Sequence, residues 1–339
     1  METDIAAVLA EVWRGYVDSI ETDVIGNLVA VKKGSGPEPR PRLLLAAHMD
    51  EIVLMVSEIV DAHGNGFLRV TKVGGIDIRQ LYGLRVTVHG QRNVRGVLGG
   101  LPASLLPDDR RSKAYGFEDL VVDVGLSAES TRKLISIGDF VTFQQPVYEL
   151  LNGRLAAKAL DNRASVAAVT VALEALQGQT HAWDVVAVAT AQEETGLLGA
   201  YTAAFAQRPD AAVALDVSFA KGPGVSDANT FELGQGPILD IGVNVHPGMF
   251  KALQDSAEKL EMTVHVSPHM RSSGTDAAGT QVARDGVPTG LISIPIRAMH
   301  TVVETVAAKD IERAGRWLAA FITDLPADFV AGLTAAMMD

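Results

Sequence analysis

The sequence predicts an α/β protein: a mostly parallel sheet flanked by helices, carrying an inserted small β-barrel-like domain. Three observations predict it. Short continuous apolar runs, "PRLLLAAHMD", "DVVAVAT" and "AAVALDV", have the character of strands buried on both faces. Segments of helical spacing separate the later ones, and strands alternating with helices build a parallel sheet covered on both sides. Between residues 71 and 152 this alternation gives way to Gly-rich, short alternating stretches such as "LRVTVHG" and "GDFVTFQQPVYEL".

Taken in order, "DIAAVLAEVWRGYV" is spaced as a helix, and the first section, to about residue 70, reads helix, strand, strand. The β-rich insertion follows over 71–152. From 153 the pattern is helix "ASVAAVTVALEALQ", strand "DVVAVAT", helix around "GLLGAYTAAFAQ" and strand "AAVALDV". Helix "PGMFKALQDSAEKLE", strand "GLISIPI" and a last helix near "AAKDIERAGRWLAAFITDL" complete it. Residues 1–70 and 153–339 are therefore expected to form one domain, and 71–152 an insertion into it. No internal repeat or low-complexity tract interrupts the chain.

Composition narrows the function classes. With 47% hydrophobic and 21% charged residues, the 339-residue chain has the make-up of an ordinary globular protein. No apolar run approaches the roughly 18–20 residues of a membrane span, so no membrane association is expected. The start, "METDIAAVLAEVW", lacks the basic region and apolar core of a signal peptide. The absence of cysteine excludes disulfides, thiolate nucleophiles and thiolate metal sites, and fits a cytoplasmic location. A formal charge of −12 argues against nucleic acid as a partner, though acidity also serves solubility. A nucleotide-binding reading lacks the glycine-rich phosphate loops that it requires.

The informative residues stand at the ends of the apolar strands. "LLLAA" runs into His48-Met49-Asp50-Glu51, "VVAVATAQ" into Glu193-Glu194, "AAVAL" into Asp216 and "LISIPIRAM" into His300. Asp161, in "KALDNRAS", stands just ahead of a helix. The carboxyl ends of parallel strands lie along one edge, where α/β proteins place their ligand crevice. Singly, each residue has a plainer reading: Asp161 as a helix cap, Asp216 as a turn, a histidine as a packing residue. Jointly, separate elements deliver only His, Asp and Glu to one edge. His63, His89, His181, His246, His265 and His269 lack this placement and read as structural or surface residues.

Two histidines and three or more carboxylates without cysteine form the donor set of a hydrolytic zinc, cobalt or manganese centre. Three ligating carboxylates would leave one dication with excess negative charge. Two dications leave a single positive charge that a hydroxide neutralises, which favours a binuclear site. The adjacent Glu193 and Glu194 repel one another, so either water solvates them or a cation lies between them.

The stretches "AAHMDEIVLMV", "KALDNRASVAAV", "ATAQEETGLLGA", "ALDVSFA" and "SSGTDAAGTQVARDGVPTGLISIPIRAMHTVVETV" resemble the successive signatures of the tetrahedral aminopeptidases, family forty-two of the metallopeptidases. The resemblance covers nearly the whole chain and keeps the order of the motifs. It implies a zinc-exopeptidase-like fold and a cytosolic enzyme with two divalent ions per subunit, zinc or cobalt. Peptides with a free N-terminus are the implied substrates. Position by position, it makes His48 and Asp216 ligands of the first ion, Asp161 the bridging carboxylate, and Glu194 and His300 ligands of the second. Glu193 corresponds to the general base and Asp50 to the carboxylate that orients His48. Gly274, Thr275 and Asp276 correspond to a stretch near the substrate pocket. The insertion corresponds to a dimerisation domain, and the implied homo-oligomer is a dodecamer built from dimers. Val53 and Ala298 stand where the family usually has glycine and tyrosine, and "SSGTDAAG" replaces a more glycine-rich form; none of these touches an expected ligand. A binuclear deacylase or dipeptidase acting on small N-acyl amino acids, and a non-catalytic metal-binding assembly protein, are the alternatives.

Overall fold

Apolar residues at helical spacing give the first element, α1 (Glu2–Trp13), which leads into β1 (Ser19–Thr22), β2 (Leu28–Lys32) and β3 (Arg42–His48). A computed structural model describes residues 2–106, 108–111 and 115–336. Next come β4 (Val53–Ala62), β5 (Asn65–Val73), β6 (Arg85–His89), β7 (Asn93–Gly100), the short α2 (Asp108–Arg111), β8 (Leu120–Ser127), α3 (Ala128–Leu134) and β9 (Phe140–Phe143). Strands β10 (Tyr148–Leu150) and β11 (Arg154–Ala157) precede α4 (Leu160–Ala175), β12 (Asp184–Thr190), α5 (Leu198–Gln207) and β13 (Ala211–Phe219). The chain ends with β14 (Ile238–Gly242), α6 (Pro247–Lys259), β15 (His265–His269), α7 (Asp276–Gln281), β16 (Thr289–Arg297), β17 (Glu304–Ala307), α8 (Ala308–Asp324) and α9 (Phe329–Ala336).

These elements form two units: Met1–Asp50 with Glu149–Met299 and Glu304–Asp339, and Glu51–Tyr148 with His300–Val303. In the first, the sheet order is β1-β2-β12-β3-β13-β16-β17-β11-β10, with β14 and β15 branching from β16. Its four central strands, β12, β3, β13 and β16, are mutually parallel, and antiparallel strands flank them. Their even and odd residues serve opposite faces. Leu43, Leu45 and Ala47 join the core beneath α1, α4, α6 and α8, whereas Leu44 and Ala46 join Ala203 and Ala204 of α5 on the other side. A strand with both faces buried has no room for polar alternation, which is why these runs are continuously apolar. Trp13, Trp183 and Trp317 are fully buried in the larger core.

The second unit is a closed barrel in the order β4-β5-β8-β7-β6-β9. Period-two alternation fills it: Leu68 and Val70, Val86 and Val88, and Leu120 and Val122 point inward. Closure leaves no unpaired edge. The hairpin of β4 and β5 belongs to this barrel, so the unit starts at Glu51.

Three local features differ from the sequence expectation. Asp216 lies within β13 rather than after it, because pairing with β16 continues to Phe219 opposite Ile296. Asp161 does not head a regular helix: it and Asn162 have non-helical dihedrals within the first turn assigned to α4. Strands β14 and β15, a parallel pair at the margin, carry no apolar run of their own and are held by their neighbours.

Candidate metal centre

The centre is assembled where the central strands end. His48 closes β3, and its register partner across the ladder is Thr190, the last residue of β12. One more backbone bond, Met49 N–H to Thr190 O at 2.9 Å, keeps the two strands together past their ends. The chain after β12 turns back as Glu193 O accepts from the Gly196 and Leu197 N–H groups, leaving both glutamates at the turn. From the neighbouring strand comes Asp216, whose Oδ1 accepts from the Val217 N–H at 2.8 Å. Asp161 arrives from the break ahead of α4.

His48, Asp50, Asp161, Glu193 and Asp216 are all buried and Glu194 is half-buried. The His48 Nε2 lies 3.2 Å from Asp161 Oδ1, 3.7 Å from Glu193 Oε2 and 4.0 Å from Asp216 Oδ1. On the other side of the ring, Asp50 Oδ1 is 3.4 Å from Nδ1, looser than a good hydrogen bond. Asp50 also accepts the backbone N–H of Glu193, at 3.1 Å, and of Glu194, at 3.2 Å. A single carboxylate thus faces the histidine and fixes the backbone of both glutamates.

Two overlapping donor groups result, His48-Asp161-Glu194 and His48-Glu193-Asp216, each with its ligand atoms within 4.8 Å of one another. Burial and mutual repulsion set the charge states within these groups. Burial pushes the Glu193 carboxyl up to about 8, with His48 opposing and Asp276, Glu194 and Asp50 adding to the rise. Burial drives Asp216 well above the carboxylate range, against the pull of His48 and with Glu193 and Asp161 adding to it. Burial opposes protonation of His48, but hydrogen bonds to Asp161 and Asp50 and the charges of Glu193 and Asp216 hold its imidazole well above the ordinary value. Burial also opposes ionisation of Asp50, yet His48 and the two backbone N–H donors keep it below the usual range. Several carboxylates crowd one imidazole, so divalent cations suit the surplus of negative charge, and the nitrogen-and-oxygen donor set suits zinc-like ions.

Among the residues expected near substrate, Asp276 reaches the cluster. It is fully buried, accepts from Thr190 Oγ1 through Oδ2, and is pushed up to about 6 by burial, with His48 and Thr190 opposing and Asp50 adding to the rise. Thr275 instead caps α7 through the Ala277 N–H, and Gly274 supplies a turn at φ +70°. His300 belongs to the barrel unit, at φ +61°, where it packs so close to Gly75 that a Cβ there would overlap the imidazole. Ala298 also has a positive φ, +53°. Of the histidines read as structural, His181 bonds Trp183 O, His246 caps α6, His269 pairs with Asp240, and His89 bonds Asn93 and Thr142.

Two residues that the sequence reading passed over hold Asp161. Its N–H donates to Glu304 Oε2 at 2.9 Å, and the Asn162 Nδ2 donates to Leu215 O at 2.9 Å. Asn162 was legible as the polar neighbour of Asp161; Glu304 is one carboxylate in a chain rich in them and gave no signal.

The profile of the M42 glutamyl aminopeptidase family matches residues 26–316. This chain belongs to that family. It is an aminopeptidase, hence a hydrolase, of the M42 type, and the family match favours this reading over the acyl-amino-acid and assembly-only alternatives. Lysyl aminopeptidase of Pyrococcus furiosus is 35% identical over 96% of this chain and 93% of its own length. The TET aminopeptidase of a marine sediment Thaumarchaeota archaeon superposes with a TM-score of 0.89 at 31% identity, covering 97% of this chain and 93% of the other. The Pyrococcus horikoshii TET1 peptidase, described as assembling into a tetrahedron or a large octahedral shell, gives a TM-score of 0.80 at 30% identity over 96% and 94% of the two chains. The mixed sheet flanked by helices and the closed barrel are the fold of this M42 family. No helix of the described residues is long and apolar enough to cross a membrane.

Proposed function

We propose that the protein is a binuclear metallo-aminopeptidase that hydrolyses the N-terminal bond of peptides. The observation that carries this is one buried histidine shared by two donor groups, each of which holds one of the two adjacent glutamates. His48, Asp161, Glu194 and Asp216 would hold the ions, zinc or cobalt by the nature of the donors. Such ions supply polarisation of the scissile carbonyl and bring the pKa of water towards neutrality. Glu193 then acts as general base, taking the proton from the attacking water and passing it to the departing amine. Its burial favours the protonated form between these two steps. Asp50 keeps the Glu193-Glu194 backbone and the His48 ring in place for this work. Asp276, held by Thr190, adds negative charge behind the cluster, which favours a substrate with a free ammonium over one with a blocked N-terminus.

By analogy with the shell-forming relative, we propose a homo-oligomer, a dodecamer built from dimers, working in the cytoplasm.

The test is metal removal. Purified protein should cleave aminoacyl-anilides but not their N-acetylated forms, lose that activity when stripped by a chelator, and recover it with zinc or cobalt. Full turnover after exhaustive stripping would sink the proposal.

A further inference from the structure

The break ahead of α4 presents a mechanical problem. Asp161, at φ −78° and ψ 100°, and Asn162, at φ −123° and ψ 29°, are outside the helical region, so the regular helical dihedrals do not fix the backbone that carries Asp161, although the Arg163 N–H reaches across it to Ala159 O at 3.2 Å. A carboxylate meant to sit between two ions tolerates little drift, since ligand orientation is normally secured by partners behind it.

The structure supplies those partners from two strands. Glu304 opens β17 and pairs in register with Ala157, the last residue of β11. From there its side chain reaches over the chain on its way into α4, and Oε2 accepts the Asp161 N–H at 2.9 Å, with both residues buried. From β13, Leu215 O accepts the Asn162 side-chain amide at 2.9 Å, one residue before Asp216. The backbone of Asp161 is therefore tied to the strand that carries Asp216 on one side and to β17 on the other. Its carboxylate is left facing His48 Nε2, at 3.2 Å.

We infer that Glu304 is a positioning residue of the metal centre. Its carboxylate oxygen, as an acceptor for the Asp161 N–H, holds the bridging carboxylate at the spacing that two ions need. Glu304 stands outside both donor groups and acts through Asp161. The inference rests on the binuclear reading of the site proposed above.

Two variants separate an acceptor from a charge. Glu304→Gln keeps an oxygen at the same reach without the charge, whereas Glu304→Asp keeps the charge on a side chain one methylene shorter. Zinc affinity and stoichiometry would be read by competition with a chromogenic chelator, on wild type and variants first checked for native circular dichroism. The expected result is near-wild-type binding by Glu304→Gln and a loss of roughly 10–100-fold in affinity for at least one ion in Glu304→Asp, the range seen when such outer partners are removed. Equal binding by Glu304→Asp and wild type would overturn the inference, as would a Glu304→Gln variant as weak as Glu304→Asp. Failure of the wild type itself to bind two ions would remove the binuclear reading and this inference together. Wild-type binding with the wrong order of variants removes only the inference.

Discussion

Glu193 and Glu194 are chemically identical neighbours with different surroundings, and the difference decides what each can do. Asp50 holds both backbone N–H groups, so the two side chains diverge from a fixed base. Glu193 is the more deeply buried, and its carboxyl is raised to about 8. If Glu193 is the base, Glu193→Gln should keep its full metal content and lose turnover by roughly 10²–10⁴-fold, the span associated with a positioned base. Metal analysis beside steady-state kinetics on aminoacyl-anilides tests this, and retained turnover would reassign the base. Asp50→Ala should act differently. It frees the His48 ring and the backbone N–H donors of Glu193 and Glu194 at once, so metal affinity should fall by roughly 10–100-fold along with the rate, as chelator competition would show.

At the scale of elements, two packing arrangements govern how the site is held. Helix α8 crosses α4 at Gly315, where an added Cβ would meet Ala168 O and the Val171 side chain. Gly315→Val should therefore push the helices apart and cost about 1–3 kcal/mol of stability, the usual range for overpacking a filled core; chemical denaturation gives the value. The second arrangement joins β14, β15 and β16. Buried Asp240 pairs with His269 through Oδ1 at 2.6 Å and accepts from Ser293 Oγ through Oδ2 at 2.6 Å. The hydrogen bond to Asp240 raises the His269 pKa against the opposing effect of burial. A histidine raised on folding stabilises most below its unfolded value, about 6.5, and the contribution is lost as pH rises through the higher folded value. Burial raises Asp240 as well, which gives the same sign. The denaturation midpoint should fall as pH rises from about 6 to 8, and His269→Gln should flatten that slope. An unchanged slope would show that the pair does not couple to folding.

For the molecule as a whole, the testable expectation is assembly: light scattering should find a particle roughly twelve times the monomer mass if the proposed dodecamer forms, and a monomer would refute it. The sequence by itself determined much of the architecture. Continuous apolar runs such as "LLLAA", too short for ordinary helices, read as strands covered on both faces, and the loss of helical period after residue 70 pointed to a β-rich segment. It also brought out His48, Asp50, Glu193, Glu194 and Asp216, because polar residues at the ends of apolar strands stand out against their background. Only the tertiary structure decided the rest. It placed Asp216 inside β13 through pairing with β16, and assigned the β4–β5 hairpin to the barrel. It broke the helical backbone at Asp161 and Asn162 and brought Glu304 to the Asp161 N–H across 143 residues of sequence. Burial pattern is written locally, one side chain at a time, so it survives in the sequence; a hydrogen bond between distant segments depends on where the fold sets them down and leaves no local trace.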